Sequence, residues 1–263
     1  MQCDRCAGEH FTQAGRSRHQ RQLYQCRACG RRMTTRSTSV CSDYRFLDAV
    51  IALAVRWYLR YRLRYDDVVE WLAERGIHVD ASTIYDWVRT FTPCFIAAAR
   101  VHRSPVGHRW RVDETYSTVG KSWHYLFRAI DEHGQLVDVY LSDRRNAAAA
   151  QALFKAAIAA SGASPTPKTT DKAKCYPPAL RTLLPNVDHR RSKYLNNGLE
   201  RDHQHLKGRI RPMRSFKPVD SASTFSRGHA VVRNLRRGFS TLTAAVAVPL
   251  RLVTAWTALA ATL

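Results

Sequence analysis

Acid is scarce in this chain of 263 residues. Asp and Glu number 21 against 42 Lys and Arg, a formal charge of +21. Solubility alone requires far less, so a polyanionic partner is implied. The excess is spread along the chain instead of gathered in a tail, which fits several basic surfaces that track a phosphate backbone by releasing counterions. A ribosomal-type or membrane-surface basic protein is the alternative. Long apolar runs are lacking too. The chain opens Met1-Gln2-Cys3-Asp4-Arg5-Cys6 with no hydrophobic stretch, so no cleavable signal is expected and the protein should stay in the cytoplasm, associated with the nucleoid. Residues 241–263 approach membrane-spanning length, but Pro249 and Arg251 interrupt them and Ala and Thr dilute their hydrophobicity. An apolar C-terminal helix for packing or dimerisation is expected there, and no membrane partner.

Residues 1–39 are poor in aliphatic side chains and hold four of the seven cysteines, as Cys3-x2-Cys6 and Cys26-x2-Cys29. So few apolar groups cannot build a core, whereas four thiolates around a structural Zn2+ supply the missing folding energy. The paired spacing in an odd, cytoplasmic set favours metal over a disulfide framework. A zinc ribbon is therefore expected over 1–39, with His10 and His19 as substitute ligands in the alternative. The stretch Thr34-Thr35-Arg36-Ser37-Thr38-Ser39 reads as a linker.

From residue 43 the apolar period becomes helical: Leu47, Val50, Ile51, Ala54 and Tyr58, then Tyr65, Val68, Val69 and Leu72. Gly76 ends the second helix, and Asp80 or Ser82 can cap a third whose stripe is Ile84, Trp87, Val88 and Phe91. Helix, glycine turn and short capped helix is the helix-turn-helix order, expected over 40–104. Opposite the stripe, Ser82, Tyr85, Asp86 and Arg89, with Thr83 near the start, could reach base edges in a major groove. A three-helix bundle with a solvated polar face gives the same pattern.

Past Pro93 and Pro105, residues 109–119, 122–131 and 135–141 read as a three-strand meander broken at Gly120-Lys121 and at Glu132-His133-Gly134. An Ala-rich helix over 146–160, a strand at 168–171, a helix at 178–184, a strand at 187–189 and a long basic helix from Asn196 follow. Strands, helix, strand, helix, strand, helix implies an α/β domain over 105–240 with a mixed, ribonuclease H-like sheet. Three carboxylates stand at informative places. Asp113 lies in the first strand, with Trp110, Val112 and Tyr116 marking the other face. Asp171 ends the fourth strand, where open α/β sheets host functional groups. Glu200 begins the long helix, sharing a face with His203 and Lys207 at i+3 and i+7. Phosphoryl transfer between DNA strands asks for hard cations held by carboxylates. Three surface acids are the bland alternative. Lys207, Arg209, Arg211 and Arg214 would hold phosphates.

The runs Trp110-Arg111-Val112-Asp113-Glu114-Thr115-Tyr116 and Trp123-His124-Tyr125-Leu126-Phe127-Arg128-Ala129-Ile130-Asp131 resemble the catalytic domain of DDE-type bacterial insertion-sequence transposases, in particular the insertion-sequence-six family. Further matches are Leu141-Ser142 with Arg145, Thr170-Asp171-Lys172, Tyr194-Leu195-Asn196-Asn197 with Glu200, Asp202-His203 with Lys207, and Arg211-Pro212-Met213 with Phe216-Lys217. Upstream, Ser82-Thr83-Ile84-Tyr85-Asp86-Trp87-Val88 is similar to that family's helix-turn-helix, and the zinc ribbon to an N-terminal addition found in part of the family. The resemblance implies replicative transposition, by nicking at the ends of an element and strand transfer into a target. It implies that Asp113, Asp171 and Glu200 bind Mg2+ or Mn2+ and that Lys207 positions the DNA end. The implied partners are double-stranded DNA, as terminal inverted repeats and target, and further copies of the chain in a dimer or larger assembly. A catalytically inactive DNA-binding regulator derived from a transposase is the competing reading, and a simple nuclease a third.

Overall fold

The N-terminal residues form a small antiparallel sheet of β1 (Phe11–Arg16), β2 (Gln22–Cys26) and β3 (Arg32–Met33). Its apolar centre is only Cys3, Cys26 and Met33, with Phe11 and Cys29 against them. In this computed structural model the described residues are 1–163, 165, 167–170, 173–185, 188–191, 197–213 and 215–263, without the side chains of 167–170, 188–191, 197, 198, 200 and 201. The stretch expected to be a linker is tied down: Arg36 donates to the carbonyls of Cys41 at 3.1 Å and Phe46 at 2.9 Å and pairs with Asp48.

Three helices follow, α1 (Asp48–Arg60), α2 (Tyr65–Ala73) and α3 (Ala81–Val101). The Arg64 N–H donates to Asp67 Oδ2 at 2.6 Å and starts α2. The third helix is longer than the sequence suggested, because it runs through Pro93. Proline there removes one intrahelical donor and costs about 3 kcal/mol. Pro93 is exposed, however, while Phe95, Ile96 and Ala99 beyond it are buried, and burying such side chains stabilises by ~1.5–3 kcal/mol for each large one.

A five-stranded mixed sheet has the order β6-β5-β4-β7-β8: β4 (Trp110–Val119), β5 (Ser122–Ile130), β6 (Leu136–Ser142), β7 (Pro167–Thr170) and β8 (Asp188–Arg191). The first three strands form the expected antiparallel meander, and β7 and β8 add in parallel. Gly120, at φ +61°, supplies the left-handed position of the two-residue turn between β4 and β5. Helix α4 (Ala147–Ser161) starts where Asn146 Oδ1 accepts from Ala149 N at 2.9 Å. With α5 (Tyr176–Leu183) it covers one face of the sheet, burying Trp110, Val112, Phe127 and Ala129.

The other face lies under α6 (Asn197–Ile210) and α7 (Val219–Arg237). Helix α7 also packs on α1 and α3; a Cβ at Gly228 would sit 2.4 Å from Thr92 Cγ2, so only glycine allows that approach. Asn234 of α7 closes the sheet edge, accepting from Leu136 N at 2.9 Å and donating to Leu136 O at 2.8 Å. Helices α1, α2 and α3 therefore share one apolar core with this face of the sheet. Of residues 241–263, only α8 (Arg251–Ala261) is α-helical, after two 3-10 turns. It packs within the chain: Trp256 stacks on Phe95 at 4.1 Å and donates to Ala52 O at 2.9 Å. Among the described residues no helix is long and apolar enough to cross a membrane.

Candidate nucleic-acid and metal sites

Strand alternation separates two neighbouring acids. Glu114 follows Trp110 and Val112 onto the face under α4 and α5, where it accepts from Tyr176 and pairs with Arg145. Burial, reinforced by the Glu114 charge, pushes the Tyr176 hydroxyl well above its ordinary range. Asp113 falls on the opposite face, half-buried, and its Oδ1 accepts from Glu114 N at 2.9 Å. Of the two, Asp113 is the one on the face crossed by α6. The last parallel pair, Val112 with Thr170, leaves β4 and β7 each one residue short of an expected carboxylate in sequence. Asp171 itself lies outside the described residues. Glu200 falls in the first turn of α6, and nothing further is described of its side chain.

Directly across from Asp113 in register is Arg128 of β5, wholly buried. Its Nη1 donates to Asp202 O at 3.1 Å, and its Nη2 lies 2.5 Å from Asp202 Oδ2 in ionic contact. Arg233 Nε donates to Asp202 Oδ1 at 3.0 Å. Burial opposes ionisation of Asp202, but Arg128 and Arg233 outweigh it and hold the carboxyl below its usual range. This ionic cluster fixes α6 on the sheet. Its position was not apparent from the sequence, although Arg128 interrupts the apolar row of Leu126 and Ile130 and so carried a signal.

The cluster corrects one expectation. His203 is only 7% exposed, and burial, followed by the charge of Arg128, lowers its pKa to about 3. The inward stripe of α6 is Leu199, Asp202, His203, Leu206 and Arg209, so His203 belongs to the packing face of the helix. Arg209 is likewise no surface cation: it is 2% exposed, donates to Tyr58 O at 2.9 Å and lies over the Tyr58 and Phe225 rings. Lys207 and Arg211 remain exposed. They line a groove of about 730 Å³ with Tyr116, Thr118, Trp123 and Tyr125. Of its β4 residues, Ser117 shares the strand face of Asp113, whereas Tyr116 and Thr118 share that of Glu114. Arg214 lies outside the described residues.

On α3, Ser82, Asp86 and Arg89 are exposed and Thr83 is half-buried. Tyr85 is half-buried. Its hydroxyl lies 3.1 Å from Ser221 Oγ of α7 and its ring packs edge-on to Tyr65, so it is held in the packing between helices instead of standing free.

The Sγ atoms of Cys3, Cys6, Cys26 and Cys29 all lie within 4.8 Å of one another. Cys3 to Cys29 is 3.5 Å and Cys6 to Cys26 is 3.6 Å, close to the ~3.8 Å edge of a tetrahedron with metal–sulfur bonds of about 2.3 Å. The Arg5 backbone bond leads the set of interactions that lowers Cys3 to about 7. Cys6 goes the other way. The Gly8 backbone bond pulls it down, but the Cys29 thiol and burial prevail and raise it to about 12. As thiolates, four sulfurs this close would repel one another unless a cation lay among them. Neither His10 nor His19 belongs to the cluster.

A family model described as a DDE domain matches residues 107–239. The transposase for insertion sequence-like element IS431mec of Staphylococcus aureus strain Mu50 is 38% identical over 184 residues, covering 68% of this chain and 80% of that protein. The transposase for insertion sequence element IS257 in transposon Tn4003, also from S. aureus, is 37% identical over the same shares. Among solved structures, the HTLV-2 integrase catalytic core domain in complex with magnesium aligns at 15% identity over 58% of this chain and 84% of that one, with a TM-score of 0.33. The family match over half the chain and the relatives along two thirds of it place this protein in the DDE-type insertion-sequence transposases, within the insertion-sequence-six family.

Proposed function

We propose that this transposase binds the terminal inverted repeats of its element and carries out metal-dependent nicking and strand transfer that joins the element to target DNA by the replicative route. The observation that carries the reading is the placement of Asp113 on the sheet face crossed by α6, while its neighbour Glu114 is consumed by Arg145 and Tyr176. Asp113, Asp171 and Glu200 are the proposed ligands of Mg2+ or Mn2+. When bound, such ions activate the attacking oxygen and stabilise the leaving one. The chain's own part is positional. The Arg128–Asp202–Arg233 cluster holds α6 against the sheet, and Lys207 and Arg211 offer phosphate contacts along the groove.

In this reading α1 to α3 are a helix-turn-helix domain (40–104) that reads the repeats through Ser82, Thr83 and Arg89. Residues 105–240 are the ribonuclease H-like catalytic domain. Residues 1–39 are a ribbon closed by structural zinc on Cys3, Cys6, Cys26 and Cys29, consistent with an apolar centre too small to fold alone. A dimer or larger assembly would hold two ends together in the nucleoid.

The test uses the purified chain, Mg2+ and a duplex carrying the inverted repeats that flank its gene. Asp171→Asn and Glu200→Gln should each reduce joining to background while end binding persists. Full activity in either variant would remove that residue from the triad, and binding without joining by the unaltered chain would favour the regulator.

A further inference from the structure

Where the end of α1 meets α6 and α7, five arginines crowd a cavity of about 90 Å³: Arg60, Arg62, Arg209, Arg233 and Arg236, with His229 in its wall. His205 and Val232 complete the lining. Of the five arginines only Arg233 is ion-paired among the described residues, and its partner Asp202 is shared with Arg128. Burial first, then the charges of Arg60 and Arg233, makes Arg236 hold its proton less tightly than usual. Like charges gathered this closely repel one another unless an anion lies between them.

Two buried nitrogens add an independent sign. Arg209 Nη1 has no partner although its residue is 2% exposed, and the same holds for Nδ1 of His229, 5% exposed. Buried polar groups are normally satisfied, and each exception costs free energy until something fills it. The opening is also shaped by what is missing: a Cβ at Gly208 would lie 3.1 Å from Arg62 Nη2, so glycine lets that guanidinium lie across α6.

The chemistry of the lining selects the ligand. At about 90 Å³ the cavity has room for one tetrahedral oxyanion. Every charged group in the wall is a cation, and guanidinium forks match phosphate oxygens. Arg60 and Arg62 sit at the turn between α1 and α2, beside the helices proposed to grip the duplex. We propose that this cavity takes a single phosphate of the DNA backbone, clamping it between the helix-turn-helix and the helices of the catalytic unit. The assignment rests on the DNA-binding reading above.

The experiment measures duplex affinity across a salt series, together with thermal unfolding in inorganic phosphate, for the unaltered chain, Arg60→Gln/Arg236→Gln, Arg62→Gln and the control Arg181→Gln, a residue exposed on α5. The double variant should bind duplex about ten-fold more weakly, with the slope of log affinity against log salt reduced by about 1 for the lost phosphate. Arg62→Gln should shift both the same way by less, and the control should leave both unchanged. Unfolding without phosphate should stay level or rise in the double variant as repulsion is relieved, which shows that it folds. Unchanged slope and affinity in a folded double variant would overturn the assignment. Stabilisation by inorganic phosphate with no effect on the duplex would also overturn it, leaving a free-anion site only. An unaltered chain that binds no duplex would sink the DNA reading itself, a result distinct from the other two.

Discussion

The two faces of the central sheet are built from the same three strands to opposite ends. Under α4 and α5 the contacts are apolar, made by Trp110, Val112, Phe127, Leu153 and Phe154, and the one acid of β4 on that side is locked by Arg145 and Tyr176. Under α6 and α7 apolar Val119, Leu126 and Ile130 alternate with buried polar groups, Arg128, Asp202, His203 and His229. The first face obtains stability from area removed from water. The second spends some of that stability on fixed charges, and those charges hold the helix that carries Glu200 and Lys207. The proposed catalytic groups lie on separate elements, and the ion pairs of this face tie one of those elements, α6, to the sheet and to α7.

Asp202→Asn is the largest expected break in this contrast. It strands Arg128 and Arg233 without a counter-charge, and losing one partner of a buried pair costs ~3–5 kcal/mol. Denaturant unfolding checks it. A loss no greater than that of a surface substitution would mean that the cluster does not anchor α6.

Acidification should act next, and on the same face. Burial, ahead of the charge of Arg128, lowers both His203, to about 3, and His229. The unfolded chain therefore takes up protons at these positions before the folded one does. Their contribution is complete above ~6.5, the unfolded value, and is lost as pH falls toward the folded values. Each histidine adds a slope of about 1.4 kcal/mol per pH unit. Asp202, also depressed, adds its own loss only below ~4. Stability measured from pH 8 to 5 should bend downward below 6.5, whereas a level profile would show that the histidines are not buried neutral.

Much of this was readable from sequence where a short period decides the outcome. Alternation along β4 separated Asp113 from the row of Trp110 and Val112, and the paired cysteines meet as their spacing required. Helical spacing placed His203 beside Lys207, but spacing gives a face without saying what covers it, and the stripe of α6 turned His203 inward. Pro93 looked like an ending because a local rule competes with the burial of Phe95 and Ile96, which only tertiary packing reveals. The pairing of Arg128 with Asp202 joins residues 74 apart, a separation no local pattern records. For α8, composition offered packing or dimerisation, and the stacking of Trp256 on Phe95 shows that one face packs within the chain.

The most direct measurement sets Asp113→Asn beside Glu114→Gln in the same metal-dependent joining reaction, with unfolding of both proteins in parallel. Asp113→Asn should remain folded and reduce joining to background. Glu114→Gln should lose ~1–3 kcal/mol of stability through its weakened contacts with Tyr176 and Arg145 and keep joining DNA. The reverse pattern, with Glu114 essential and Asp113 dispensable, would place the chemistry on the other face and contradict the account.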